Sequence, residues 1–265
     1  MVRTLRHAWS DLLDALRFLS RLPLPAPRPD ATFELAAALR WAPVAGAILL
    51  LPSAALLALG QVLKLAPLAS VALAIAAGLL VTGALHEDGL ADVADGFGGG
   101  QSRERKLAIM RDSRIGAFGA LALALALVLR LGCLEQLLAT RGALASATAL
   151  LTGATMSRGV MLLPMALLPK ARTDGLAHAA GEVGPATLVP ALALAVLVGG
   201  VIGSLGQVSA ARFAVACVAA LLTSLAMTAI ARRQIGGVTG DVVGATQQLC
   251  EIAVLLVLSA GAHLS

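Results

Sequence analysis

Asp88, Asp92 and Asp95 follow one another at i, i+4 and i+7. On a helix turning 100° per residue, that spacing stacks them within about 60° of arc on one face. Three carboxylates so placed repel one another unless something cationic sits among them. A hard divalent ion with oxygen ligands, Mg²⁺ or Mn²⁺, is the ordinary solution. Glu87 is adjacent but angled off this face, and ranks as a fourth candidate ligand below the three aspartates. His86 could ligate weakly, carry a proton or sit at an interface. A solvated acidic helix start accounts for one or two acids near the helix dipole, but not for a stacked triplet.

The segment from His86 to Gly116 holds eleven of the chain's thirty-five charged residues in about an eighth of its length. Its glycine run, Gly96 to Gly100 interrupted by Phe97, reads as a loop whose bare backbone could approach phosphate oxygens, or as a hinge. Beyond it come Arg103, Arg105, Lys106, Arg111 and Arg114. Acid and metal on one side with guanidinium groups on the other is an arrangement used on transferring phosphoryl groups. Arg103 and Lys106 need be no more than membrane-side anchors. Arg111-Asp112-Ser113-Arg114 is more pointed, since it brackets an acid with two guanidiniums at the entrance of an apolar run.

Three more polar islands stand out. Arg158 and Glu251 each lie inside an apolar run, costly unless they pair with each other or bind a ligand. Gly236 to Asp241, with Thr239, suits either a second phosphate or ribose contact or a plain helix cap. Lys170 to Gly175, which includes Arg172, is expected on the same side as the aspartates.

The elements that must position these groups are helices in a membrane. Of 265 residues, 58% are hydrophobic and 13% charged, too few polar groups to cover a soluble domain. Aromatics are 3% and Tyr is absent, so the apolar mass is Ala, Leu, Val and Gly, suited to close helix packing in lipid. The expected fold is all-α and polytopic, with about seven transmembrane helices at 39–63, 65–85, 116–139, 143–169, 185–206, 210–231 and 242–262. Residues 1–38 form an amphipathic N-terminal helix and a connector stiffened by Pro23, Pro25, Pro27 and Pro29. That helix lies on the membrane surface or packs on the protein's own body. Residues 39–265 form a single transmembrane catalytic domain carrying the 86–116 motif. With the N-terminus inside, fifteen Lys and Arg fall on the inner side against four (Lys64, Arg130, Arg141 and Arg212) on the outer. The positive-inside rule therefore turns the acidic motif toward the cytoplasm. No basic stripe with stacking aromatics appears, so the net charge of +5 does not imply a nucleic-acid partner. Cys133, Cys217 and Cys250 share no ligand spacing and read as small buried hydrophobes.

His86 through Asp92, then Asp95-Gly96, then Ile109 through Gly116, closely resemble the signature of the cobalamin synthase family, the adenosylcobinamide-GDP ribazoletransferases. Phe18 through Pro23 and Gly237 through Asp241 resemble its flanking motifs in order and spacing. The resemblance implies a Mg²⁺-dependent enzyme of a bacterial cytoplasmic (inner) membrane. It would take adenosylcobinamide-GDP and α-ribazole (or its 5′-phosphate) to adenosylcobalamin (or its phosphate) and GMP. By the same resemblance Asp88, Asp92 and Asp95 become metal ligands, while Arg111, Asp112 and Arg114 become substrate contacts. Ser113, Arg158, Arg172 and Asp241 join as further substrate-binding candidates, and Asp92 or Asp112 could take the acceptor's proton. The partners are these substrates and membrane lipid, with a homo-oligomer left open. Two positions depart from the pattern: Glu87 stands where relatives carry an apolar residue, and Ala177 where glycine is expected.

Two rival readings are kept. A CDP-alcohol phosphotransferase shares an Asp-Gly and Asp-x₃-Asp pattern, and product analysis separates it. A divalent-cation or corrinoid transporter would use intramembrane charges, but no internal repeat of the kind many carriers show is visible.

Overall fold

The computed structural model describes residues 2–25 and 35–261. Every extended regular element among them is helical. In order these are α1 (Val2–Phe18), α2 (Leu35–Ala38), a 3₁₀ turn (Leu39–Trp41), α3 (Ala42–Leu49), α4 (Leu51–Val62), α5 (Pro67–Thr82) and α6 (Leu85–Gly99). Then follow α7 (Arg103–Ile109), α8 (Ala117–Val160), α9 (Leu163–Leu167), α10 (Leu176–Ala179), α11 (Pro185–Leu205), α12 (Ala210–Ile235) and α13 (Gly240–Ser259).

Five helical stretches are long and apolar enough to cross a membrane: Leu35–Val62, Ala117–Leu167, Pro185–Leu205, Ala210–Ile235 and Gly240–Ser259. A sixth arises only if α5 and α6 are joined across the 89° bend between them. The chain is a polytopic helical membrane protein, but length and composition do not establish the expected seven crossings. The longest stretch is itself divided. A straight helix of the 44 residues of α8 would run about 66 Å, twice a bilayer core of about 30 Å. At Gly142 the backbone leaves helical geometry (φ 81, ψ 178), which a side chain would strain. The chain reverses there, since the Ser146 hydroxyl donates to the Leu134 carbonyl at 2.9 Å. Ala143 N, an orphan donor after the break, is met by Gln61 Oε1 at 2.6 Å.

Small residues let the helices close on one another, as lipid-embedded packing requires. A Cβ on Gly159 would stand 2.5 Å from that of Ala195 in α11. Leu134, Leu150, Leu162 and Leu255 are fully buried between spans, while Leu121, Val128, Leu197 and Leu222 point outward where lipid would lie. The cysteines are free; Cys133 and Cys250 are buried as expected, whereas Cys217 is half-buried.

The amphipathic α1 packs on the protein's own body. Ala15, Leu16 and Leu19 are buried, Asp11 meets Arg40 at 3.2 Å, and Arg21 N donates to Val81 O at 2.9 Å. Pro27 and Pro29 of the expected connector lie outside the described residues. What positions the site is the turn between α5 and α6. Gly83 (φ 65) and Ala84 (φ 55) are left-handed in succession, which swings α6 off the axis of α5. Glycine adopts this freely; for alanine it costs roughly 1–2 kcal/mol. The packing below holds that strained residue in place.

Candidate active site

The acidic helix α6 is pressed against the start of α13 by two glycines. A Cβ on Gly89 would lie 2.8 Å from Asp241 O, and one on Gly244 would lie 3.2 Å from His86 Cα. This approach brings Asp241, on the first turn of α13, to the face that carries Asp88 and Asp92. Asp88 and Asp241 sit at the rim of a cavity of about 610 Å³, its open mouth included. Its walls are largely apolar, with Phe18, Leu39, Met161 and Met165 among them. Thr239 caps α13 by accepting from Val242 N at 3.3 Å, so this island serves as a helix cap and also delivers Asp241 to the cavity.

The aspartates of α6 lie beside the 170–175 loop, whose Arg172 reaches Asp241, and α6 is not one of the five spanning stretches. There burial first, and then the carboxylates of Asp88, Asp241 and Asp95, push the Asp92 carboxyl up to about 7. Arg172 opposes this rise.

The fold gives the three aspartates of the expected triplet different surroundings. Among the described residues no three His, Cys, Asp or Glu side chains gather closely enough to ligate one ion. Asp95 caps the start of α8 instead, with one oxygen accepting from Gly116 N at 2.7 Å and the other from Gly119 N at 2.8 Å. Helix starts leave such donors orphaned, and a carboxylate there also meets the positive end of the dipole. Asp95→Ala should therefore lower the thermal midpoint, by the equivalent of about 1–2 kcal/mol, and do so whether or not Mg²⁺ is present. A midpoint unchanged in EDTA but lowered in Mg²⁺ would instead make Asp95 a ligand.

Glu87 also has partners of its own. Its carboxylate faces away from the aspartates and accepts from Arg130 Nη1 at 2.9 Å and Gln248 Nε2 at 3.0 Å. Arg130, counted from sequence on the outer side, is instead buried within the bundle and reaches Glu251 at 3.1 Å as well. Arg158 is deep in this second, polar cavity rather than beside the aspartates. It lies 3.9 Å from Glu251, and its Nη1 donates to Ala154 O at 3.1 Å. The expected pairing of Arg158 with Glu251 is thus real but loose, and Arg130 is the closer partner. Sequence reasoning misses Arg130, Gln247 and Gln248. The available signal is a lone arginine about thirteen residues into an apolar run.

The basic side of the site is built from ion pairs between loops. Arg111 donates to both oxygens of Asp174 at 2.8 Å, Arg172 lies 3.5 Å from Asp174, and Arg172 lies 3.3 Å from Asp241. An alternating chain of charge thus joins the loop before α8, the 170–175 island and α13. Arg103 is more than an anchor: it donates to Ile235 O at 2.7 Å and Ala171 O at 2.9 Å, tying α7 to the end of α12. Lys106 is likewise tied to α12, through the side chain of Gln234. Arg114 and Asp112 pair with each other at 2.6 Å on the surface, and those hydrogen bonds hold the Asp112 carboxyl down to about 2. Ser113, between them, is exposed. The glycine run is not a loop: through Gly99 it is the last turn of α6, with Gly98 seating the ring of Phe118.

The profile of the family described as cobalamin-5-phosphate synthase matches residues 11–259. The chain belongs to this family. Among relatives of the family, adenosylcobinamide-GDP ribazoletransferase of Mesorhizobium japonicum is 46% identical over 257 residues, 96% of this chain and 94% of the relative. The protein of that name from Azorhizobium caulinodans is 45% identical over 263 residues (95% and 97%), and one from a Sinorhizobium species is 45% identical over 246 (92% and 94%). No solved structure matches the chain.

Proposed function

We propose that this chain transfers the cobinamide phosphate of adenosylcobinamide-GDP to α-ribazole or its 5′-phosphate, the last step of cobalamin assembly. One observation carries the proposal: in a chain of this family, Asp88 and Asp241 meet beside Asp92 at the polar end of an apolar cavity. In the reaction the acceptor's 3′ oxygen bonds to the phosphorus nearer cobinamide. The bridging P–O bond then breaks, and GMP leaves with its electron pair. Charge builds on the phosphate oxygens as this happens.

Mg²⁺, when bound, would offset that charge, and Asp88 and Asp92 would hold it with Asp241 facing them. The donor set fits this ion, which takes one or two carboxylates, keeps several waters and completes its shell with substrate phosphates. Asp241 Oδ2 already faces the Arg172 guanidinium at 3.3 Å, and it is the crowding that raises Asp92 that supports a further cation here. Arg111 and Arg172 supply guanidinium groups suited to orienting phosphate oxygens. Asp112 is a poor proton acceptor at a pKa of about 2, which leaves the cavity carboxylates to receive the hydroxyl's proton. The excess of basic residues, fifteen against three once the buried Arg130 is set aside, supports a cytoplasmic-facing site in a bacterial inner membrane.

The test uses full-length protein in proteoliposomes with adenosylcobinamide-GDP and α-ribazole, in Mg²⁺ or EDTA, and a CDP-alcohol donor in parallel. Cobalamin and GMP should form together, and only with Mg²⁺. Folded protein that makes neither, or that consumes the CDP-alcohol instead, overturns the proposal.

A further inference from the structure

The apolar cavity behind Asp88 and Asp241 has no assigned occupant, and we infer that it receives the flat base of the acceptor nucleoside. This deepens the reading above and rests on it. Three observations select the acceptor. The first is size: even counted with its open mouth the cavity is only about 610 Å³, too small for a corrin macrocycle with its amide arms. The second is wall chemistry. Phe18, Leu39, Met161, Met165 and Ala177 offer no side-chain hydrogen bonds, and His86 is the one polar side chain in the lining besides the two aspartates. Guanine, with donors and acceptors along its edge, has more polar groups than this lining can meet, and each one left buried and unpaired costs about 1–3 kcal/mol. A methylated benzimidazole has almost no polar edge, and methionine sulfur makes favourable contacts with aromatic rings. The third is that the cavity's two carboxylates, Asp88 and Asp241, are brought to it together by the close contact of α6 with α13. With the base inside, the ribose hydroxyls emerge beside Asp88 and Asp241, where the bulky donor has open access. The cavity's lining includes Phe18 and Leu19 at the end of α1, which makes the N-terminal helix part of the acceptor pocket.

Ala177, the residue that departs from the family pattern, lines this cavity and is 6% exposed. It is the natural place to fill the pocket. Ala177→Phe should raise the acceptor's KM, and its Kd measured calorimetrically with α-ribazole alone on protein in nanodiscs, by about tenfold or more. The KM for adenosylcobinamide-GDP should stay within about twofold. Met165→Ala, which removes wall without adding bulk, should raise the acceptor constants a few-fold and carries the test if Ala177→Phe does not fold.

Wild-type turnover is measured first, so that failure of the functional reading is seen separately from failure of the pocket. Given turnover, a rise in the donor's constants with the acceptor's unchanged places the donor in the cavity and overturns the inference. So does no change in either. An acceptor affinity that falls as acyl-chain content rises in wild type, yet is unmoved by both substitutions, assigns the cavity to lipid and also overturns it.

Discussion

Asp92→Asn loses about 10²–10³-fold in turnover while its fold in EDTA is at least as stable as wild type. The two halves of this expectation have one cause. Asp92 is crowded by Asp88, Asp241 and Asp95 as well as partly buried, so its charged form is disfavoured in the folded protein. A carboxyl raised from 3.8 to about 7 binds a proton more tightly folded than unfolded. Its contribution to stability is therefore full below pH 3.8 and is lost as pH climbs toward 7. Asparagine removes that loss, so the stability of the variant in EDTA should vary less between pH 4 and 7 than that of wild type. The same substitution withdraws negative charge from the place where a cation must sit during transfer, and the loss of one such electrostatic partner costs roughly 10²–10³ in rate. Turnover of the reconstituted protein, together with thermal midpoints across pH in EDTA, reads both. Retained activity would detach Asp92 from the chemistry; a lowered midpoint in EDTA would make its charge structural.

What is legible from sequence follows from how local each signal is. The face shared by Asp88 and Asp92 is a property of helical spacing, and it survives because α6 is a helix over its whole acidic length. Asp95 shows where spacing stops being informative. Its angle on the helix is right, yet the chain returns through Gly116 and Gly119, whose missing side chains leave room for the carboxylate to reach two backbone donors. No count along the sequence announces that a residue some twenty positions later will claim it. Asp241 is the converse case. It reads locally as a helix-start acid, and only the glycine contact between α6 and α13 brings it to the other aspartates. Arg130 is hidden because counting basic residues by loop treats a charge in mid-span as belonging to whichever end is nearer. The short polar dipeptide at 141–142 reads as a connection between two spans, and the backbone break at Gly142 agrees with that.

Arg130→Met is the substitution expected to damage the fold most. Arg130 is 4% exposed and lies 2.9 Å from Glu87 and 3.1 Å from Glu251, so one guanidinium serves a part-buried and a fully buried carboxylate from different helices. Removing it leaves two acids in a low-dielectric interior with only the distant Arg158 to answer them. Breaking a buried pair from one side costs about 3–5 kcal/mol, because the orphaned charge is penalised in addition to the lost attraction. The attraction itself is not the source of that figure. When both signs are removed together the penalty largely vanishes, so Arg130→Met combined with Glu87→Gln and Glu251→Gln should recover most of the lost thermal midpoint in detergent. Arg158→Met should cost less than Arg130→Met, since Arg158 stands 3.9 Å from its acid. Recovery in the combined variant, with Gln248 still able to hydrogen-bond position 87, would establish the cluster as a charge-balanced tether between α6, α8 and α13. If the triple variant were instead no more stable than Arg130→Met alone, the arginine would be holding the bundle by packing along its alkyl stem, and the two glutamates would not depend on its charge.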